Sequence, residues 1–397
     1  MREDDVVIVG GGPVGLLNAL GLARAGVRVT VLEREPAVPA SPRAMVYAYA
    51  VLDGLERLGL LGEIEDLGFR TQEGIWFRSF ATGEQIKWNM DVLDGLVDHP
   101  YNVNLGQHRL AEIALAHLQR LPGTDVRFGT QMTGLRQDDD GVTLEIEDTA
   151  GARSTVRAGW VIGADGARSA VRQALGLAFD GMTWPERFVA TNVLYDFGAL
   201  GYGPGNFLID PDHGAVIARI DNEGLWRCTY CEDLSLPEGT IPERMPAYFR
   251  TILPPDADTP EVVQWSPYRM HQRAAERMRD GRVLLAGDAA HATNPTGGLG
   301  LTSGMLDTFV LYDALAAVIG GAVGAEVLDR YSEERLRVFT EIASPQASEW
   351  KRLVFHSDDP GRLEGDLGML RTVASDADAR REGFLSMQAL KTPSLVG

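Results

Sequence analysis

Val6-Val7-Ile8-Val9-Gly10-Gly11-Gly12-Pro13-Val14-Gly15-Leu16-Leu17 decides the fold. Val6 to Val9 is a continuous β-branched run, the pattern of a strand buried on both faces. Leu16, Leu17, Leu20 and Ala23 then recur at helical spacing, and Gly26 predicts the helix end. Val27 to Leu32 reads as a second strand, ending at Glu33. Strand, turn, helix and strand make a β-α-β unit, so a parallel sheet is expected. The turn reads Gly10-x-Gly12-x-x-Gly15. Gly10 permits the tight turn, Gly12 lets the backbone approach a pyrophosphate, and Gly15 lets helix and strand pack closely. The helix N-terminus behind Pro13 faces the phosphate charge. Glu33 is placed to accept from a ribose hydroxyl. This motif alone leaves FAD and NAD open.

Two further strand-turn-helix stretches lie downstream. Val283 to Ala286 is a buried strand followed by Gly287-Asp288, and Asp288 would stand just beyond its carboxyl end, where ligands bind in α/β sheets. A carboxylate there can accept hydrogen bonds from a polyol such as a ribityl chain. Asn294-Pro295-Thr296-Gly297-Gly298-Leu299-Gly300 then opens a second helix, whose free amides and dipole suit negative charge on a flat ring. The third stretch is Gly163-Ala164-Asp165-Gly166-Ala167-Arg168-Ser169.

The 397 residues include 37 Lys and Arg against 56 Asp and Glu, a net charge of −19. That acidity repels phosphate backbones and anionic lipid, so neither nucleic acid nor a membrane is an expected partner. No continuous apolar run approaches the ~18 residues that span a bilayer. Met1 to Asp5 is polar and lacks signal-peptide features, so a cytoplasmic protein is expected. Cys228 and Cys231 have C-x-x-C spacing but lie in a strand-like run, so ordinary thiols are expected. The scattered histidines predict no metal site. Helices are expected over 51–64, 107–121, 299–318 and 326–342, and hairpin-joined antiparallel strands over 180–270. The tail from 357 reads as peripheral helix.

Together the three glycine-rich stretches resemble the FAD-dependent aromatic hydroxylases of the para-hydroxybenzoate hydroxylase type, which carry a G-x-G-x-x-G, an internal D-G and a G-D motif in this order. The resemblance spans residues 5 to about 340. Ser41-Pro42-Arg43-Ala44, Ala190-Thr191-Asn192, Tyr268-Arg269-Met270-His271-Gln272-Arg273 and the loop from Gly287 to Ser303 resemble the nitrophenol and hydroxypyridine monooxygenases of that family. The fold implied is α/β: a Rossmann-like FAD-binding domain with an inserted antiparallel β-sheet substrate domain and C-terminal helices. The FAD-binding domain would comprise 1–75, 101–178 and 271–345. The substrate domain would comprise 76–100 and 179–270, with 346–397 a C-terminal helical tail.

The resemblance also implies roles. Gly10, Gly12, Pro13, Gly15, Glu33 and Arg34 would hold the ADP half of FAD, Arg43 the pyrophosphate, and Gln107 and Asp288 the ribityl chain. Asp165 belongs to the motif linking FAD and NAD(P)H. Pro295, Gly297, Gly298, Gly300 and Leu301 would line the flavin ring and the site of oxygen chemistry. The loop departs from para-hydroxybenzoate hydroxylase at Leu299 and Thr302. Candidate substrate ligands are Tyr47, Asn192, Tyr195, Tyr230 and His271, the last two also as catalytic groups. The implied reaction is NAD(P)H- and O2-dependent hydroxylation of a small phenolic or hydroxypyridine ring through a flavin C4a-hydroperoxide, with possible loss of a para substituent. Alternatives are a monooxygenase that tailors a larger polycycle or modifies an antibiotic, and a flavin-binding protein without oxygenase activity. A monomer or homodimer is expected.

Overall fold

Strand Asp4–Val9 lies at the middle of a parallel array, between Arg153–Gly163 and Val29–Leu32; Val283–Leu285 and Thr124–Arg127 extend it on either side. The computed structural model describes residues 4–40, 42–356 and 359–396. Ser41 and Met1 to Glu3, read above, lie outside the described residues. Val6, Val7 and Ile8 are fully buried, which stabilises the fold by about 1.5–3 kcal/mol per side chain. Helix Pro13–Arg24 begins with proline at its first position and stops before Gly26, whose φ is +83°. The register sets Val9 level with Leu32 and Gly163, and Gly163 level with Leu285. The carboxyl ends of four parallel strands therefore open on one edge.

The second sheet has eight strands, in the order His291–Ala292, Glu261–Ala275, Phe179–Leu194, Leu225–Asp233, Ala215–Arg219, Gly205–Ile209, Ile75–Ser79 and Gln85–Trp88. Neighbours are antiparallel except Gly205–Ile209 beside Ile75–Ser79. The expected hairpins are present. Asp210 Oδ1 accepts the amides of Asp212 and His213, and Asp221 Oδ1 those of Glu223 and Leu225, which fixes both turns. Within the stretch read as strands sits a helix, Ile241–Ile252. Its buried Ile241, Met245, Phe249 and Ile252 follow helical spacing and cover one face of the sheet.

The segment read as one helix over 326–342 is Val327–Val338, a π turn Phe339–Ala343 and helix Ser344–Phe355. The tail is not peripheral. Helices Pro360–Ser375 and Ala377–Leu385 bury Leu367, Leu370 and Phe384 against the second sheet. The Trp88 indole donates to the Leu370 carbonyl at 3.0 Å and the Tyr49 hydroxyl to the Phe384 carbonyl at 2.8 Å. A few apolar residues at helical spacing suffice to dock an otherwise charged segment.

Helix Leu299–Ile319 is long and apolar enough to cross a membrane by length and composition, but 72% of its apolar window is buried inside the fold. Thr302, Ser303, Asp307 and Thr308 interrupt the run and are themselves buried. The helix packs on Pro13–Arg24: a Cβ at Gly21 would meet the Tyr312 ring at 2.4 Å, and one at Gly304 would meet Val14 at 2.8 Å.

Candidate active site

Three loops meet at the shared strand edge. Gly10 has φ +113°, and a Cβ there would meet the Ala164 carbonyl at 2.3 Å. The first loop thus lies directly on the D-G loop. A Cβ at Gly15 would meet the Gly10 carbonyl at 1.9 Å, so helix and loop approach at backbone contact. At Gly12 the same construction meets nothing within 4 Å, which leaves open space before the helix N-terminus at Pro13. The Glu33 carboxylate is fixed beside this space: Oε2 accepts the Gly11 amide at 2.6 Å and Oε1 the Glu35 amide at 2.8 Å. Arg34 is exposed and pairs with Glu35 at 3.3 Å.

Asp165 is used internally. It accepts from the Ser169 hydroxyl at 2.5 Å and from the Ala170 and Val171 amides at 2.6 and 3.2 Å, capping the short helix Ala170–Ala174. Asp288 is the opposite case. Its carboxylate accepts no hydrogen bond among the described residues and is open to solvent, yet protein surrounds it closely enough that burial raises its pKa. The charges of His291 and Arg43 oppose that rise. Arg43 is exposed within the same recess. Gln107 begins helix Gln107–Leu118, with its amide on the Ala44 carbonyl at 2.9 Å.

The loop at 294–300 is pinned by a residue given no role above, Gln272. Its Oε1 accepts from the Thr293 hydroxyl and from the Asn294 amide and side chain, at 3.0, 3.2 and 3.2 Å. Its Nε2 donates to Ser344 Oγ at 2.7 Å. Pro295 and Gly297 are half-buried, and Gly298 is exposed with φ +68° at the start of helix Leu299–Ile319. Gly300 and Leu301 are half-buried in its first turn. Trp350 lies against Gly297, where a Cβ would meet its ring at 2.7 Å, and stacks on Phe77 of the second sheet.

Across from these loops, strand alternation divides the expected substrate ligands. Asn192 and Arg227 face the segment 40–43. Arg227 Nε donates to Asn192 Oδ1 at 2.8 Å and Nη1 to the Arg43 carbonyl at 2.7 Å. Asn192 Nδ2 donates to Gln264 Oε1, and Gln264 Nε2 to the Ala40 carbonyl. Arg227 is buried and forms no ion pair among the described residues; burial lowers its pKa to about 10. Tyr268 lies within the influence of both Arg227 and Arg43, although burial keeps its phenol well above the usual range.

The other expected ligands lie elsewhere. Tyr230 is three residues from Arg227 on the same strand, so it points to the opposite face, where it stacks on Tyr248 at 3.9 Å with its hydroxyl unpartnered. Tyr195 packs in that same cluster, against Phe197. Tyr47 is fully buried in the core of the first sheet. His271 alternates with Gln272 and so turns away from the 294–300 loop; its Nδ1 bonds Thr183 Oγ1 at 2.9 Å, and Arg273, Arg269 and Arg168 are near enough to add to the burial that lowers its pKa. Cys228 and Cys231 fall on opposite faces of their strand, which excludes a shared ligand role.

Arg227, Tyr268, Gln272 and Trp350 were missed because each sits in an unremarkable strand or helix. Only Arg227 carried a signal, a charge amid a buried strand. The donor set fits FAD: open space at Gly12 before a helix N-terminus, a fixed carboxylate at Glu33, a free carboxylate at Asp288 and a second helix N-terminus behind Gly298.

The FAD binding domain family model matches residues 3–345. The chain is 44% identical over 392 residues to 6-hydroxy-3-succinoylpyridine 3-monooxygenase from Pseudomonas putida, covering 98% of each chain. It is 43% identical over 390 residues to para-nitrophenol 4-monooxygenase from a Pseudomonas strain, covering 98% of this chain and 96% of that one. The crystal structure of p-nitrophenol 4-monooxygenase from Pseudomonas putida superposes with a TM-score of 0.95 at 43% identity, over 98% of this chain and 99% of the other.

Proposed function

The chain belongs to the FAD binding domain family of flavin aromatic hydroxylases, and on that premise we propose that it hydroxylates a small phenolic or hydroxypyridine ring with NAD(P)H and O2. The substrate domain on this reading comprises 76–100 and 179–270. The FAD-binding domain comprises 1–75, 101–178 and 271–345. FAD, when bound, accepts hydride from NAD(P)H and activates O2. Gly10, Gly12, Gly15 and Glu33 hold its ADP half, Arg43 its pyrophosphate, and Asp288 and Gln107 its ribityl chain. Pro295, Gly297 and Gly298 would line the flavin ring, and the helix amides behind them would favour negative charge on it. The basic face of Arg168, Arg269, Arg273 and His271 suits the phosphates of the dinucleotide. The enzyme acts in the cytoplasm, as a monomer or homodimer.

The observation that carries the substrate half of this reading is Arg227, a buried guanidinium with no carboxylate partner among the described residues, tied to the Arg43 backbone and to Asn192. Such a charge is costly unless an anion joins it. The oxygen of an ionised phenol or hydroxypyridine provides that anion. The guanidinium then favours the ionised phenol, which raises the nucleophilicity of the ring. Asn192 and Gln264 orient the guanidinium, and Trp350 and Phe77 close the site against water.

A panel of para-substituted phenols and hydroxypyridines, scored by NAD(P)H consumption and product mass, tests the reading. Hydroxylated product from at least one ionisable ring is expected. Arg227→Gln should raise KM for such rings about tenfold or more, the worth of one charge-assisted hydrogen bond. Protein that purifies without flavin and cannot be reconstituted would refute the whole assignment.

A further inference from the structure

The most enclosed carboxylate near the glycine-rich loops is Asp307, which is 0% exposed. Its Oδ2 accepts the Gly287 amide at 3.0 Å and His291 Nε2 at 2.7 Å, and its Oδ1 accepts Arg335 Nε at 2.7 Å. Arg335 is equally buried and directs the rest of its guanidinium away from the loop. Nη1 donates to the Leu390 carbonyl at 2.7 Å and to Thr392 Oγ1 at 3.0 Å, and Nη2 reaches the Ser303 carbonyl at 3.4 Å. Lys391, between those two partners, pairs with Asp53 at 2.7 Å. A continuous polar path therefore joins the C-terminal segment to the residue just before Asp288.

Stability alone accounts poorly for this path, because a buried ion pair is often no better than a well-packed apolar cluster. Its geometry offers a more specific role. Gly287 has φ +59° and opens the tight turn Gly287–Ala289, so a bond to its amide anchors the turn that carries Asp288. Asp307 fixes that amide, Arg335 fixes Asp307, and the C-terminal segment fixes Arg335. We propose that Leu390–Thr392, Arg335 and Asp307 form a strap that holds the Gly287-Asp288 turn in its FAD-binding orientation. They are positioning residues, and the proposal rests on the reading of Asp288 as an FAD ligand.

The test measures FAD affinity of the apoprotein by equilibrium fluorescence, alongside the melting temperature of that apoprotein. The variants are Thr392→Val, Arg335→Lys and a chain ending at Ala389. Each should weaken FAD binding about tenfold or more, the cost of one hydrogen bond to a charged group. The melting temperature of Thr392→Val apoprotein should stay near that of the parent. In an Asp288→Ala background the same strap changes should weaken FAD little further, because the carboxylate they position is gone. If strap variants leave FAD affinity unchanged, or only lower the apoprotein melting temperature, the strap has no positioning role. Equal losses with and without Asp288 overturn it too. If Asp288→Ala itself leaves FAD affinity intact, the reading of Asp288 fails instead. Should the shortened chain not fold, Thr392→Val and Arg335→Lys still decide the matter.

Discussion

Asp288 and Asp165 show how one residue type at the same kind of strand end takes two different tasks. Asp165 spends both oxygens on the helix that follows it, whereas Asp288 keeps both free. Asp288→Ala should therefore cost about 1.5–3 kcal/mol of FAD binding per lost charge-assisted bond, read as a roughly ten- to hundredfold weaker Kd by visible absorbance titration. Asp165→Ala should instead lower the melting temperature, through about 1 kcal/mol of lost capping. Tyr230 gives the converse prediction. Its hydroxyl is buried and unpartnered, so Tyr230→Phe should leave kcat unchanged and stability equal or slightly higher. A large fall in kcat for that variant would mean that the ring reaches the substrate after all.

Helices Pro13–Arg24 and Leu299–Ile319 cross closely because Gly21 makes room for the Tyr312 ring and Gly304 for Val14. The crossing brings Val14, just behind the first glycine loop, against Gly287 and Gly304, so the two cofactor loops are held at a fixed separation. The Asn18 side chain bonds Thr308 Oγ1 at 3.0 Å and adds a polar pin. Gly21→Ala drives a methyl into the Tyr312 ring and should cost about 1–3 kcal/mol by overpacking, visible as a lower melting temperature with flavin affinity little changed. Gly304→Ala sits beside Gly287 and should weaken FAD binding as well. The second sheet follows the same economy: alternation along Leu225–Asp233 sends Arg227 toward the Arg43 backbone and Cys228 and Tyr230 to the helix side.

Across the whole molecule, Asp307 links the cofactor edge to the C-terminus and also carries a pH signature. Burial alone would raise its pKa, but the His291 and Arg335 charges and their hydrogen bonds outweigh that and lower it to about 2. A carboxylate whose folded pKa lies below its unfolded value of about 3.9 stabilises the fold fully above that value. The contribution is lost as pH falls from about 4 toward 2. Acid unfolding followed by circular dichroism should show Asp307→Asn losing the part of the pH dependence that falls in that window. The β-α-β unit, the glycine loops and the strand-end positions of Glu33 and Asp288 were legible in the residues because their demands are local: a strand period, a helix period, a turn that tolerates only glycine. So was the FAD family. The tail, the helix Ile241–Ile252 and the substrate face were not. Whether Tyr230 or Arg227 lies beside Arg43 depends on which face of a strand is turned inward, and that is set by pairing with strands distant in the chain. Whether the last residues matter depends on Arg335 reaching Leu390 and Thr392. Local sequence thus determined the FAD family and the glycine loops, while long-range packing alone decided which strand faces turn toward those loops and what holds the loops in place.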